Sequence, residues 1–499
     1  MNWRGFLAQI WANRIAKQTQ KWVSKPIETQ EKTLQNLLKQ AQNTAFGQDH
    51  GFNKINNYES FKKNVPIKDY EALKPYIERT LAGESNVLWQ GKPLYFAKTS
   101  GTTSGIKYIP ISKQSISNHI NSARNALLTY IFNSKKADFL GGKLMFLSGS
   151  PILELKNGIR VGRLSGIVNH HVPLYLRRNQ CPDFETNCID DWEQKVDAIV
   201  NQTIGEDLRL VSGIPPWVQM YFEKLTKKTG KSIKDIFPNL GLFVYGGVNF
   251  EPYRQKLEQC IGKTIDSIEL FPASEGFFAY QNTLKNDGLL LLLNEGIFYE
   301  FMPVETFFDP NPTRICLKDV ILNQNYVLII NSNAGLWGYN IGDTIKFVSL
   351  NPYKIKVTGR LKHFISAFGE HVIGEEVERA MLDTAQYFGL QITEFHVAPQ
   401  INPNPTQGLP FHEWFVEFEV QNKDLEAIEA FLDAQMCQQN TYYKDLVEGK
   451  IIQGIKIKVL KKGAFVEYMK AIGKLGGQNK VPRLANDRTI ADKLNAFAQ

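Results

Sequence analysis

The stretch at residues 97–110 places the strongest local constraint on how this 499-residue chain can fold. Its centre, residues 101–105, is rich in glycine, serine and threonine, which favours a tight turn with backbone N–H groups pointing inward. Three residues separate the two glycines and Lys107 is followed by Tyr108, so the pattern is not a Walker A loop. Apolar residues on either side predict two strands, at 94–97 and 107–111, with the loop between them.

This loop has two interpretations. Its backbone amides and hydroxyl groups can close over a phosphate chain, with a lysine following. The residues concerned are Thr99, Ser100, Gly101, Thr102, Thr103, Ser104, Gly105 and Lys107. A hairpin turn that binds no ligand explains the same composition equally well.

Length and composition indicate a globular protein of two or three domains. The net charge of +8 is a weak indication of anionic ligands, and without a Lys/Arg run it does not favour a nucleic-acid partner. The five scattered cysteines favour a reducing compartment. No apolar run is long enough to span a membrane, and Arg4 and Gln9 interrupt the first apolar stretch, which excludes a signal peptide. We therefore expect a cytoplasmic protein without a membrane span, and a monomer, although the sequence does not determine the oligomeric state.

The periodicity of apolar residues changes along the chain and predicts an α/β fold. Helical spacing dominates residues 1–90, 115–132, 190–203 and 216–228, whereas strands at 240–245 and 267–271 run into small residues, where α/β sheets place ligands. Short apolar strands follow one another closely between 289 and 347 and predict an antiparallel or barrel-like subdomain. Beyond residue 364, helices and strands alternate as in a compact α+β domain of ordinary size.

Three further features carry residue types suited to a nucleotide. Glu275 follows a strand among small residues and can hold Mg²⁺, which takes one or two carboxylates together with phosphate oxygens. Asp343 can accept both hydrogen bonds of a ribose diol. Lys480 lies in a glycine-rich stretch at 473–483 that ends in Pro and Arg. Each feature also has an interpretation without a ligand. Glu275 can be a helix cap or surface carboxylate, Asp343 a turn residue, and the stretch at 473–483 a flexible basic linker.

The order and spacing of these motifs resemble the auxin-responsive acyl-acid amido synthetase family over nearly the whole chain. That family is a branch of the firefly-luciferase-like, acyl-adenylate-forming superfamily, and the resemblance suggests a bacterial-type member. Residues 99–107 are similar to its Ser/Thr-Gly-Thr-Thr/Ser-x-Gly-x-x-Lys motif, with one residue fewer before the lysine. Residues 272–275 are similar to Tyr-Ala-Ser-Ser-Glu, with Pro272 in place of tyrosine. Residues 339–343 are similar to Tyr-Arg-x-Gly-Asp, with Asn340 in place of arginine, and 478–483 resemble Gln-Tyr/Phe-Lys-Thr-Pro-Arg.

The resemblance implies ATP and Mg²⁺ as cofactors, and a small carboxylic acid that is joined to AMP and then passed to an amine, expected to be an amino acid. It makes Lys480 and Glu275 the catalytic residues, with Glu275 on the metal. The nucleotide-binding set it implies adds Gly246, Gly247, Ala273, Ser274, Tyr339, Asp343 and Arg360 to the glycine-rich loop. It also implies an N-terminal adenylate-forming domain at 1–360 with a small β-barrel, a hinge at 361–364, and a mobile C-terminal domain at 365–499.

Two alternatives remain open from the sequence. An acyl-CoA or carrier-protein ligase shares the adenylation step and differs in using a thiol acceptor. A nucleotide-binding protein without catalytic activity belongs to a different class, and the presence of Glu275, Asp343 and Lys480 disfavours it.

Overall fold

The chain folds into two compact α/β units. A computed structural model describes residues 3–100, 106–247, 250–307, 309, 311–361, 364–365, 367–368, 370, 372–404, 408–419, 424–475 and 480–499. The first unit comprises Met1–Ile341 with Ile345–Lys356, and the second comprises Gly342–Thr344 with Val357–Gln499. The predicted mixed α/β class, with a large first part and a smaller second part, is confirmed.

The α-helices account for the predicted helical segments. Their bounds are α1 Trp3–Val23, α2 Pro26–Ala41, α3 Ala45–Asp49, α4 Tyr58–Asn64, α5 Tyr70–Leu81, α6 Lys113–Ser134, α7 Leu164–Asn169, α8 Leu174–Arg177, α9 Phe184–Asn187, α10 Trp192–Thr203, α11 Pro215–Thr229, α12 Ile233–Ile236, α13 Glu251–Ile261, α14 Gly374–Phe388, α15 Leu425–Gln439, α16 Thr441–Glu448, α17 Ala464–Ala471 and α18 Thr489–Leu494. None of the helices in the described ranges combines the length and hydropathy needed to cross a membrane.

The strands lie mostly between these helices. Their bounds are β1 Tyr95–Ser100, β2 Ile106–Ile111, β3 Lys143–Phe146, β4 Glu154–Lys156, β5 Ile159–Gly162, β6 Gln180–Cys181, β7 Leu208–Ser212, β8 Leu242–Gly246, β9 Asp266–Ala273, β10 Gly276–Gln281, β11 Leu289–Leu291, β12 Ile297–Pro303, β13 Ile315–Cys316, β14 Asn325–Ser332, β15 Tyr339–Leu350, β16 Tyr353–Arg360, β17 Phe364–Ile365, β18 Val372–Ile373, β19 Ile392–Gln400, β20 Phe411–Phe418 and β21 Lys456–Val459.

Local chemistry explains where the main helices begin and end. The Ser112 side chain accepts a hydrogen bond from the Ser115 N–H at 3.0 Å and so caps α6. Pro215 occupies the first turn of α11, where its missing N–H has no helical partner to lose. Gly230 ends that helix with a φ of +67°, a conformation that glycine adopts without strain.

A twelve-stranded sheet, ordered β13-β12-β14-β15-β16-β11-β10-β9-β8-β7-β3-β6, organises the first unit. Strands β6, β3, β7, β8 and β9 run parallel. Helix α11 lies in the connection from β7 to β8 and α13 in the connection from β8 to β9, as parallel neighbours require. From β9 to β10 the pairing becomes antiparallel. The closely spaced strands of residues 289–347 pair antiparallel where predicted, but they continue this one sheet because β10 and β11 join them to the parallel strands.

A separate four-stranded sheet, ordered β2-β1-β5-β4, carries the glycine-rich loop. Its strands share an apolar core with the end of β9, since Phe96, Ile109 and Phe271 belong to the same buried cluster. The two strands that flank the glycine-rich residues therefore pack against the large sheet.

The second unit has its own core. Strands β19, β20 and β21 form a three-stranded sheet, with α14 and α15 contributing to one apolar cluster and α17 and α18 to another. The predicted hinge, residues 361–364, falls at the beginning of this unit, and residues 362 and 363 lie outside the described ranges. The domain boundaries and the rotation about the hinge stay predictions.

Candidate active site

The hairpin of β1 and β2 positions the ends of the glycine-rich motif. Thr99 lies opposite Lys107 in the antiparallel register, and Ser100 lies opposite Ile106. The two predicted strands are therefore confirmed. The predicted loop residues Gly101, Thr102, Thr103, Ser104 and Gly105 lie outside the described residues.

Lys107 is placed by the helix that packs behind the hairpin. Its Nζ lies 5.4 Å from the centroid of the Tyr70 ring, within the range of a cation–π interaction. The Tyr70 hydroxyl in turn accepts a hydrogen bond of 2.9 Å from the Tyr108 N–H. The first residue of α5 thus holds β2 and orients the lysine at the loop's exit.

The carboxyl ends of β8 and β9 form a second group of predicted site residues. Gly246 pairs with Leu270, and a Cβ at this position would come within 2.4 Å of the Leu270 carbonyl oxygen. Gly247 has a φ of +80° and open space where a side chain would project. Only glycine satisfies both positions, which leaves bare backbone beside the strand ends.

Ala273, Ser274 and Glu275 follow at the same end of the parallel strands. Ala273 is the last residue of β9 and pairs with Gly276, so Ser274 and Glu275 form the tight turn into β10. No group of three or more His, Cys, Asp or Glu side chains with metal-binding geometry occurs among the described residues. A single carboxylate at a strand end does fit Mg²⁺, because that ion is commonly held by one or two carboxylates with phosphate oxygens and water.

Tyr339 and Asn340 begin β15 and are held by the chain preceding α5. The Lys68 N–H donates to the Gly338 carbonyl at 2.8 Å, and the Asn340 N–H donates to the Lys68 carbonyl at 2.9 Å. The Tyr339 side chain is buried in the main core of the first unit. Asn340 therefore occupies a fixed strand position where the related motif has arginine.

Asp343 and Arg360 form an ion pair in the second unit. The Arg360 Nε donates to Asp343 Oδ1 at 2.7 Å. The carboxylate is buried, whereas the arginine is about half exposed. A buried carboxylate with a fixed orientation is suited to the diol-binding role predicted for it.

Lys480 lies close enough to this pair for their charges to affect its pKa. The residue is solvent-exposed, but protein atoms near its ammonium group still reduce the hydration of the charge. Burial, together with the positive charges of Arg360 and Arg483, lowers the Lys480 pKa to about 8, while Asp343 and Glu378 act in the opposite direction. The structure thus brings together three residues that are separated by up to 137 positions in the sequence, Asp343, Arg360 and Lys480.

The segment that follows Lys480 is anchored to β19. The Val397 N–H donates to the Arg483 carbonyl at 2.8 Å, and the Ala485 N–H donates to the Val397 carbonyl at 3.0 Å. Because a carbonyl only accepts, His396 Nδ1 carries the proton in its 2.6 Å hydrogen bond to the Pro482 carbonyl. Burial lowers the pKa of His396 to about 4, so the ring is neutral at pH 7.

Arg483 adds a second anchor through its side chain. It pairs with Glu378 of α14 at 3.1 Å and with Glu394 of β19 at 2.8 Å. Sequence reasoning did not single out Glu378, Glu394 or His396. Arg483 was recognisable within its motif, but nothing in the spacing identified its partners.

The fold of this chain is that of a class of solved enzymes, ligases that act on acids. A 2-hydroxyisobutyryl-CoA ligase, solved in the postadenylation state, has the same fold with a TM-score of 0.60, 13% identity and coverage of 93% of this chain and 90% of that chain. An acyl acid amido synthetase designated GH3.15 is more similar, with a TM-score of 0.78, 16% identity and coverage of 95% and 94%.

Sequence comparison is more specific. The GH3 family N-terminal, central and C-terminal domains match residues 15–189, 290–360 and 375–489. A jasmonoyl–L-amino acid synthetase of Nicotiana attenuata is 22% identical over 93% of this chain and 92% of its own length. An indole-3-acetic acid-amido synthetase of Arabidopsis thaliana is 20% identical over 94% and 91%. The chain belongs to the GH3 family, and the predicted enzyme class, an ATP-using acyl-acid amido synthetase, is confirmed.

Proposed function

We propose that this enzyme joins a small carboxylic acid to AMP and then transfers the acyl group to an amino acid, with Lys480 as the residue that drives adenylation. The observation that carries the assignment is the placement of the Lys480 ammonium beside Asp343 and Arg360. A carboxylate is a poor acyl donor because it repels nucleophiles and lacks a good leaving group. Linking it to AMP removes both obstacles.

Lys480 acts in the first half-reaction. As the substrate carboxylate attacks the α-phosphorus of ATP, negative charge develops on the oxygens around that atom and on the departing pyrophosphate. An ammonium group held between the carboxylate and the α-phosphate stabilises this charge more strongly than it stabilises the ground state. The anchors on β19 support this role, because they restrict where the lysine-bearing segment can lie.

The remaining residues bind the nucleotide. Asp343 accepts the ribose hydroxyls, and the bare backbone of Gly246 and Gly247 lies against the adenine ring. The loop between β1 and β2 holds the phosphates. Glu275 would hold Mg²⁺, which neutralises phosphate charge when bound. The C-terminal domain, about residues 365–499, rotates about the hinge at 361–364 to admit the acceptor after adenylation.

The test is ATP–[³²P]pyrophosphate exchange with panels of aromatic, indolic and fatty acids. We expect exchange that depends on one class of acid. In the presence of that acid, a panel of amino acids then yields an amide, detected by its mass, together with AMP. Coenzyme A in place of the amino acids serves as the matched acceptor control and is expected to give no thioester.

Two other outcomes would each assign this protein a different function. Thioester formation without amide formation would assign the enzyme to the acyl-CoA ligases. ATP binding without exchange for any acid in the panel would favour a nucleotide-binding protein that has lost catalytic activity.

The lowered Lys480 pKa predicts how adenylation depends on pH. The ammonium is charged below about pH 8 and neutral above it, so kcat/KM for ATP in the exchange reaction falls as pH rises through this value. In Lys480→Arg the guanidinium stays charged, and we expect the decline to disappear at least up to about pH 10. A decline that persists unchanged in Lys480→Arg would show that another group is titrating.

A further inference from the structure

Helix α1 presents a continuous stripe of large apolar side chains to solvent. Its exposed members are Trp3 (70%), Phe6 (56%), Leu7 (53%), Ile10 (53%) and Trp11 (39%). These positions recur every three or four residues and therefore lie on one face of the helix. Exposed apolar stripes of this kind mark binding surfaces rather than ordinary protein surface.

The opposite face of α1 already has its partner. Gly5, Ala8, Ala12 and Ile15 are buried. The last three belong to an apolar cluster that includes Leu128 and Ile131 of α6. Small residues at three of the four positions allow α1 to pack closely on the body of the unit. The small residues of α1 therefore pack against the first unit, while its large apolar residues point to solvent. Packing within the unit does not explain why the exposed positions are apolar.

The charged side chains on the exposed face of α1 are all positive. Arg14, Lys17 and Lys21 continue the exposed face beyond Trp11, at the same helical spacing. Helix α1 contains four basic residues and no acidic ones, and the sequence of α6 also lacks aspartate and glutamate. A second copy of the chain offers no carboxylate on α1 to pair with these cations, so like charges oppose self-association through this helix.

We propose that α1 lies on the surface of an anionic lipid bilayer, with its axis in the membrane plane. The stripe from Trp3 to Trp11 enters the boundary between headgroups and acyl chains, where aromatic side chains are favoured. Arg14, Lys17 and Lys21 contact the lipid phosphates, whose negative surface potential attracts them. The enzyme thus attaches to the membrane without crossing it.

The experiment measures binding of the full-length protein to sedimented vesicles at physiological salt. Vesicles contain either phosphatidylcholine alone or a two-to-one mixture with phosphatidylglycerol. We expect binding to the anionic vesicles, weakened by added salt, and little binding to neutral ones. The variant Phe6→Gln/Ile10→Gln is expected to bind about 10²-fold more weakly because two apolar side chains no longer enter the boundary. The variant Arg14→Gln/Lys17→Gln should bind anionic vesicles about tenfold more weakly and lose most of its preference for anionic lipid.

Controls separate a loss of the surface from a loss of the fold. Ile321→Gln/Ile451→Gln removes two similarly exposed apolar residues elsewhere and is expected to bind as the unchanged protein does. Thermal unfolding and pyrophosphate exchange verify that each variant is folded. Absence of vesicle binding, or equal binding by Phe6→Gln/Ile10→Gln, would overturn the proposal. A lipid-free dimer that dissociates in that variant would assign the stripe to a second copy of the chain instead.

Discussion

Replacing Lys480 by alanine is expected to lower ATP–pyrophosphate exchange by about 10²-fold or more at saturating ATP and acid. The reason is that the ammonium neutralises charge that appears only as the acid and the α-phosphate react. Its removal therefore reduces kcat in the exchange reaction more than it changes the KM for ATP. Initial rates of exchange over a range of ATP concentrations provide both parameters.

Lys474→Ala is the matched control for this variant. Lys474 is exposed in the same glycine-rich stretch, but it lies six residues before Lys480. It also lies outside the segment after Lys480 that is hydrogen-bonded to β19. We expect its exchange rate to stay close to that of the unchanged enzyme. Equal losses in the two variants, or a full rate in Lys480→Ala, would contradict the catalytic role of Lys480.

Replacing Arg314 by methionine is expected to destabilise the first unit by about 3–5 kcal/mol, because it leaves a buried carboxylate without its counter-ion. Glu300 on β12 is fully buried and accepts two hydrogen bonds of 2.6 Å from Arg314. It also accepts one of 2.8 Å from Asn331 Nδ2. Arg314 further donates to the Val65 carbonyl at 2.5 Å, which fixes the segment that pairs with the start of β15.

Urea denaturation followed by tryptophan fluorescence measures this effect. All tryptophans except Trp414 lie in the first unit, so the signal reports mainly on that unit. The double variant Glu300→Gln/Arg314→Met should recover much of the loss, since no unpaired charge stays buried. Arg79→Met removes an exposed arginine from its pair with Glu84 and should leave the denaturation midpoint nearly unchanged. Similar shifts for Arg314→Met and Arg79→Met would refute the argument.

Much of the secondary structure follows from local patterns. The two strands on either side of residues 101–105 were predicted because apolar β-formers flank a run of small residues. The alternation of helices and strands in the second unit was also predicted. Both predictions concern interactions within about ten positions, where side-chain periodicity reports directly on backbone conformation.

The way in which the strands pair into sheets was harder to predict from the sequence. The strands from β10 onward show the short spacing of an antiparallel subdomain, but their sequence does not reveal that β10 pairs with β9 and so extends the parallel sheet. Nor does the sequence reveal that the charged residues Glu300 and Arg314 are buried together. Pairing between strands and between charges depends on side chains that meet only after folding, and periodicity carries no information on such partners.

By itself, the sequence determined the class of this enzyme and the residues expected to contact its substrates, because motif order along a chain is a property of sequence alone. Only the tertiary structure decided that Asp343, Arg360 and Lys480 share one electrostatic environment, that His396 and Arg483 anchor the lysine-bearing segment, and that α1 turns its bulky apolar residues to solvent. The physical reason is common to all three. Burial and charge–charge interactions depend on distances in space, and these arise only when segments far apart in the chain pack together.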